Sequence, residues 1–161
     1  MTLHVVPGSA TAQSARPASS QGQSKESQES MAFGKTLRVL IVDDEPSICK
    51  ALTMAMTRAG YEAVAAQSGE SALAIIRTEH VDVMLVDFRI PDMRGDVVFE
   101  LAAGYQPHLR YQTLFMTGDI TDRAHELIAA CKCHFLRKPF DLNDMWNSIA
   151  ALAPRIHDAA G

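Results

Sequence analysis

The sequence predicts an α/β fold built around a parallel sheet. Between Leu37 and Leu152, five short apolar runs alternate with five stretches whose apolar residues recur at helical spacing. Four of those runs end in polar or charged residues, and the carboxyl ends of the strands are where open α/β sheets place their ligands. A length of 161 residues, with 47% hydrophobic and 21% charged residues, suits one globular domain with spare length. Crossovers between such strands are right-handed.

Leu37–Val42 is almost continuously apolar, as a strand covered on both faces should be. Pro46 suits a first helical turn and Gly60 a helix C-terminus, with Ile48, Leu52, Ala55, Met56 and Ala59 as a stripe between them. Glu62–Ala66 is a weaker strand, better suited to a sheet edge. Ser68 can cap a helix reaching about Glu79, with Leu73 and Ile76 facing inward. Val81–Val86 is the third strand, and Asp96 can start a helix carrying Val98, Leu101 and Ala102. Gln112–Met116 is the fourth strand. Ala124, Leu127, Ile128 and Cys131 then line one helical face. His134–Arg137 is a short fifth strand, and Leu142, Met145, Trp146, Ile149 and Leu152 stripe the last helix.

Residues 1–34 differ from the rest. They hold seven Ser, four Gln and five Ala but only four charges, too little apolar surface to offset ordering entropy, so this segment is expected to be disordered. It lacks the basic start and apolar centre of a secretory signal. Met31, just before the first apolar run, is compatible with translation starting there; a flexible arm is the rival reading. The folded domain is expected over 35–154, with a short tail at 155–161.

Several function classes fall away. A net charge of -4 without a basic run argues against direct nucleic-acid binding. No apolar stretch approaches the roughly 18 residues a membrane helix needs. Three cysteines form no even framework of disulfides, which points to a reducing, cytoplasmic setting. Cys131-Lys132-Cys133-His134, with His125 upstream, has no second Cys pair to complete a structural zinc site, and Cys131 belongs to an apolar stripe.

The strand ends carry the chemistry. The first run leads into Asp43-Asp44-Glu45, the third into Asp87, the fourth into Thr117-Gly118-Asp119 and the fifth into Lys138-Pro139. Taken alone, Asp43 and Asp44 could merely cap the next helix. Brought together, Asp43, Asp44 and Asp87 would repel one another and raise at least one pKa, unless a hard dication such as Mg²⁺ sat among them. Lys138 adds a point positive charge and Thr117 a hydroxyl donor. A carboxylate in that company is equipped to accept a phosphoryl group.

These residues resemble the CheY-like receiver domains of two-component response regulators. The resemblance runs from about Leu37 to Leu152 and rests on Val42-Asp43-Asp44-Glu45, Leu85-Val86-Asp87-Phe88-Arg89-Ile90-Pro91-Asp92-Met93-Arg94-Gly95, Met116-Thr117-Gly118 and Arg137-Lys138-Pro139-Phe140. No single motif is specific; the four in order are. The resemblance implies a flavodoxin-like (βα)5 three-layer sandwich with strand order 2-1-3-4-5. It implies Asp87 as phosphoacceptor, with Mg²⁺ held by Asp44, Asp87 and the Arg89 backbone carbonyl, and Asp43 helping directly or through water. Thr117 would bind the phosphoryl oxygen, and Lys138 would pair with Asp87 and later with the phosphoryl. Phe135 falls at the aromatic switch position, where the family often has Tyr. The Lys138–Pro139 bond would be cis. Arg89 and Asp119 fall at positions that line the water path in this family; a pair between them would slow loss of the phosphoryl, whereas two solvated side chains would do little.

The implied partners are a sensor histidine kinase or histidine phosphotransferase, and a downstream protein reached through the fourth helix, fifth strand and fifth helix, with a homodimer also compatible. The product would be a conformational signal rather than a metabolite. The chain ends soon after the last helix, so output is expected through protein contact or as a phosphate relay or sink. Two other classes are a phosphorylation-independent scaffold and a small Mg²⁺-dependent phosphatase. The latter usually needs Asp-x-Asp, and Arg89 stands at that spacing from Asp87.

Overall fold

A computed structural model describes residues 36–118 and 121–158. The segment 1–34, Asp119 and the last three residues lie outside the described residues.

The elements alternate as the apolar runs do: β1 (Arg38–Val42), α1 (Pro46–Arg58), β2 (Glu62–Ala66), α2 (Gly69–Thr78), β3 (Val83–Asp87), α3 (Gly95–Tyr105), a 3-10 turn (Pro107–Arg110), β4 (Thr113–Thr117), α4 (Asp122–Cys131), β5 (His134–Arg137) and α5 (Leu142–Asp158). The last helix thus continues past the boundary expected at residue 154. The strands form one parallel sheet in the order β2-β1-β3-β4-β5, with β2 at an edge as its weak apolarity predicts. β3 and β4 are buried along their whole length, which explains their unbroken apolar character.

Period-2 alternation sorts each strand between two cores. Leu40, Val42, Met84, Val86 and Phe115 pack with residues of α2, α3 and α4; Val39, Ile41, Leu85, Leu114 and Met116 pack with residues of α1 and α5. The result is a three-layer flavodoxin-like sandwich. Among the described residues, no helix is long and apolar enough to cross a membrane.

The structure moves several expected positions. In α1, Leu52 and Met56 of the expected stripe are buried and Ile48 and Ala55 pack against the same core, but Cys49 joins the buried face and Ala59 is exposed. Gly60 follows the helix with φ +91, the left-handed region that glycine tolerates best. In α3, Leu101 is 44% exposed, and the inward face is Val98, Phe99, Ala102 and Ala103. The sequence has apolar residues on both sides of this helix, so periodicity alone could not orient it. Leu142, at the start of α5, is 49% exposed, whereas Met145, Ile149 and Leu152 are buried. β3 begins at Val83 rather than Val81, and the Asp82 carboxylate accepts the Arg38 N–H at 2.8 Å.

Candidate functional site

Register builds the site. Val42 of β1 lies beside Val86 of β3, and Asp87 of β3 beside Met116 of β4, so Asp43 and Asp87 reach the same level at the sheet edge. Both follow the alternation of Ile41 and Leu85 toward the α1 and α5 side. Thr117 stands beside Arg137, and the next residue along β5 is Lys138, whose N–H donates to the Thr117 carbonyl at 2.8 Å. Asp43, Asp87 and Thr117 are all buried.

Lys138 Nζ donates to Asp43 Oδ2 at 2.6 Å and also to Asp87 Oδ2. The ammonium therefore straddles two carboxylates, where the sequence had paired it with Asp87 alone. The remaining oxygens are held by backbone: Asp43 Oδ1 accepts the Glu45 N–H, and Asp87 Oδ1 accepts the Arg89 N–H, each at 2.9 Å. The Lys138–Pro139 peptide is cis.

The balance of charge shows in the titration of these groups. Burial pushes the Asp87 carboxyl above its ordinary 3.8, and the nearby Asp43 adds to the rise, while Lys138 and the Arg89 N–H oppose it. Burial thus contributes more to this rise than like charge does. For Lys138, burial disfavours the ammonium, but hydrogen bonds to Asp43 and Asp87 prevail and hold its pKa above 10.5.

Asp44 is exposed at the mouth, and one oxygen from each of Asp43, Asp44 and Asp87 falls within 4.8 Å of the others. Two oxygens on one Mg²⁺, each at about 2.1 Å, stand at most about 4.2 Å apart. Adjustments of well under 1 Å, roughly the difference between those limits, would let all three reach one ion. The donors are hard oxygens, and Lys138 already occupies part of two of them. That favours an ion that keeps several waters, as Mg²⁺ does. The residues present fit the group.

Phe135 on β5 is 51% exposed. Arg89 is exposed on the loop after β3. Asp119 is outside the described residues, so the Arg89–Asp119 pair has no geometry here. Cys131 and Cys133 are partly buried free thiols; Cys131 packs against the α2–α4 core, and Cys133 Sγ donates to the Cys131 and Arg110 carbonyls.

Three supports were not legible in the sequence. Cys49 Sγ donates to the Asp43 carbonyl at 3.2 Å, tying α1 to the site's deepest carboxylate residue. Gly95 leaves no room for a side chain: a Cβ there would meet the Asp87 carbonyl oxygen at 2.3 Å. Asp92 accepts hydrogen bonds from Gly69 and Glu70 at the start of α2. Each depends on a tertiary neighbour; only the glycine, two residues beyond the Pro91–Met93 stretch, carried a local hint of close backbone approach.

Residues 39–150 match the family model described as the response regulator receiver domain. Among curated proteins, the probable transcriptional regulatory protein TcrX of Mycobacterium tuberculosis is 32% identical over 77% of this chain and 53% of its own length. The transcriptional regulatory protein GlrR of Escherichia coli is also 32% identical, over 71% of this chain and 26% of its own. The chain thus spans about half or less of these relatives. Among solved structures, a CheY-like response regulator receiver domain protein from Methanospirillum hungatei superposes with a TM-score of 0.71 at 25% identity, covering 77% of this chain and 99% of that one. The chemotaxis protein CheY4 of Vibrio cholerae gives 0.67 at 25% identity, covering 73% and 99%. With the sheet order, the strand-end residues and the family match in agreement, this chain belongs to the receiver domains of response regulators.

Proposed function

We propose that Asp87 accepts a phosphoryl group from a phosphohistidine on a sensor kinase or histidine phosphotransferase. The observation that carries this is the placement of Asp87: a buried carboxylate at the end of the central strand, bridged to Asp43 by the Lys138 ammonium. A carboxylate oxygen of Asp87 attacks phosphorus, the P–O bond forms as the P–N bond of the donor breaks, and the imidazole leaves. Lys138 neutralises the charge of the incoming group, and the Thr117 hydroxyl donates to it as it arrives. Asp43, Asp44, Asp87 and the Arg89 carbonyl would hold Mg²⁺, which supplies electrophilic charge on the phosphoryl oxygens.

The signal is a shift between two conformations. Thr117 and Phe135 are the residues assigned to that shift, and a protein partner is assigned to the face of α4, β5 and α5. A groove of about 610 Å³ opens beside β5 and α5, two elements of that face, and its lining runs from Leu136 to Pro139 and includes Asp144, Asn147 and Ser148, so it also reaches Lys138. The setting is cytoplasmic, where phosphohistidine donors act.

The test is incubation with a small-molecule phosphodonor and Mg²⁺, read by intact mass beside Asp87→Asn. A single Mg²⁺-dependent adduct, acid-stable, base-labile and lost in the variant, is expected. An adduct that survives in Asp87→Asn refutes the assignment, and a wild type left unmodified by both small-molecule donors and phosphohistidine donors would favour a scaffold.

A further inference from the structure

The first turn of a helix leaves several backbone N–H groups without helical partners. In α2, Ser68 meets only some of them. Its hydroxyl accepts from Ser71 N at 3.1 Å, while the Ser71 hydroxyl accepts from Ser68 N at 3.2 Å. The Gly69 and Glu70 N–H groups are taken by another element: they donate to Asp92 Oδ1 and Oδ2, each at 3.0 Å. Asp92 lies in the loop that begins at Asp87 and ends at α3. One carboxylate therefore completes the cap of α2 and fastens the acceptor loop to it, in the orientation the helix dipole favours.

The remainder of that loop is also fixed. Gly95 N donates to the Phe88 carbonyl at 3.0 Å, and a Cβ on Gly95 would collide with the Asp87 carbonyl. Phe88 and Ile90 are buried. At Gly69 an added Cβ would meet Met93 Cβ and Val98 Cγ2 at 2.9 Å, so loop and helix are in direct contact beside the Asp92 bonds. Arg89, whose N–H holds Asp87 Oδ1, sits between the packed Phe88 and Ile90, three residues before Asp92.

We propose that Asp92 is a positioning residue for the acceptor site: by clasping the loop to α2, it holds the Arg89 peptide where its N–H orients Asp87 and its carbonyl can face a divalent cation. This rests on the reading of Asp87 as a Mg²⁺-assisted phosphoacceptor. The backbone bonds that Asp92 accepts also hold its carboxyl below the ordinary 3.8, so it is ionised wherever the site would work.

The test compares Asp92→Ala, Asp92→Asn and Ile76→Val, the last thinning the core face of α2 without touching the loop. Amide NMR of the metal-free proteins reads hydrogen exchange at Gly69, Glu70 and Arg89. Mg²⁺ titration and the phosphorylation rate follow, with Asp87→Asn alongside. Asp92→Ala is expected to speed exchange at all three amides and to weaken Mg²⁺ binding roughly tenfold, as loss of a ligand's supporting contact does. Asp92→Asn, which keeps one acceptor oxygen, falls between, and Ile76→Val leaves Mg²⁺ affinity within about twofold. Unchanged Arg89 exchange and Mg²⁺ affinity in Asp92→Ala, beside an adduct that Asp87→Asn abolishes, overturns the proposal and spares the acceptor assignment. Equal losses in Asp92→Ala and Ile76→Val overturn it too, because they reduce Asp92 to a helix cap. An adduct that persists in Asp87→Asn brings down the acceptor assignment and this proposal with it.

Discussion

Lys138→Met is expected to destabilise the protein by about 3 kcal/mol at pH 7.5, because it leaves two buried carboxylates facing each other. Oxygens of Asp43 and Asp87 lie within 4.8 Å. Two unit charges at 4.8 Å repel by about 3.5 kcal/mol at an effective dielectric constant of about 20. In the wild type the ammonium offsets that repulsion from a site that is itself largely buried. Methionine matches the stem's length and leaves the repulsion standing. For a domain of this size the loss corresponds to about 10 °C in Tm, measured by thermal melts and by urea unfolding with Trp146 fluorescence. The pH dependence has a definite sign. The folded-state pKa of Asp87 is raised, so between 3.8 and that raised value the folded protein binds more protons than the unfolded chain. Its contribution to stability grows as pH falls through this window. Lys138 is among the causes that lower the Asp87 pKa, so its removal raises that pKa further; the deficit of Lys138→Met shrinks on mild acidification, and adding Asp87→Asn recovers most of it at pH 7.5. Mg²⁺ should stabilise Lys138→Met more than wild type, since a cation returns to the same carboxylates. A deficit under about 1 kcal/mol, or one that Asp87→Asn leaves intact, would refute the electrostatic account.

Gly95→Ala should lower both stability and phosphorylation, because its Cβ would stand 2.3 Å from the Asp87 carbonyl oxygen and the backbone must move to admit it; wild-type melting and adduct formation would contradict this. Phe99→Ala should cost about 3–5 kcal/mol, whereas Leu101→Ser two positions on should stay within about 0.5 kcal/mol, both by urea unfolding. A thiol reagent should label Cys131 and Cys133 in the folded protein and reach Cys49 only on unfolding, since Cys49 is buried whereas the other two are partly exposed; mass spectrometry of the labelled peptides checks it.

What the sequence revealed follows from where each requirement is local. Strand existence, the edge position of β2 and the inward faces of α2 and α4 all follow from hydrophobic period and cap residues within one element. Helices with two apolar sides were harder. α3 carries Val97 and Leu101 outside and Val98, Phe99, Ala102 and Ala103 inside, so no single stripe identifies its buried face. In α1, Cys49 fills the core position between β1 and the helix, and a small polar-seeming residue is easily passed over when apolar side chains are counted.

The site divides in the same way. Asp43, Asp87, Thr117 and Lys138 were legible because charged or hydroxyl groups ending buried strands have no packing reason to be there. Their exact partnership was not. Lys138 reaches both carboxylates because of the register between β1, β3 and β5, strands that are not adjacent in sequence and that only the folded sheet aligns. An ammonium shared by Asp43 and Asp87 couples the two: anything that draws Lys138 away from Asp43 would leave a buried carboxylate with one fewer donor. Asp43 keeps the Glu45 N–H, at the N-cap of α1, and its own carbonyl keeps the Cys49 thiol of the same helix. Asp43 is thus tied both to Lys138 and to the first turn of α1, by three hydrogen bonds rather than by any residue that the strand-end motifs single out.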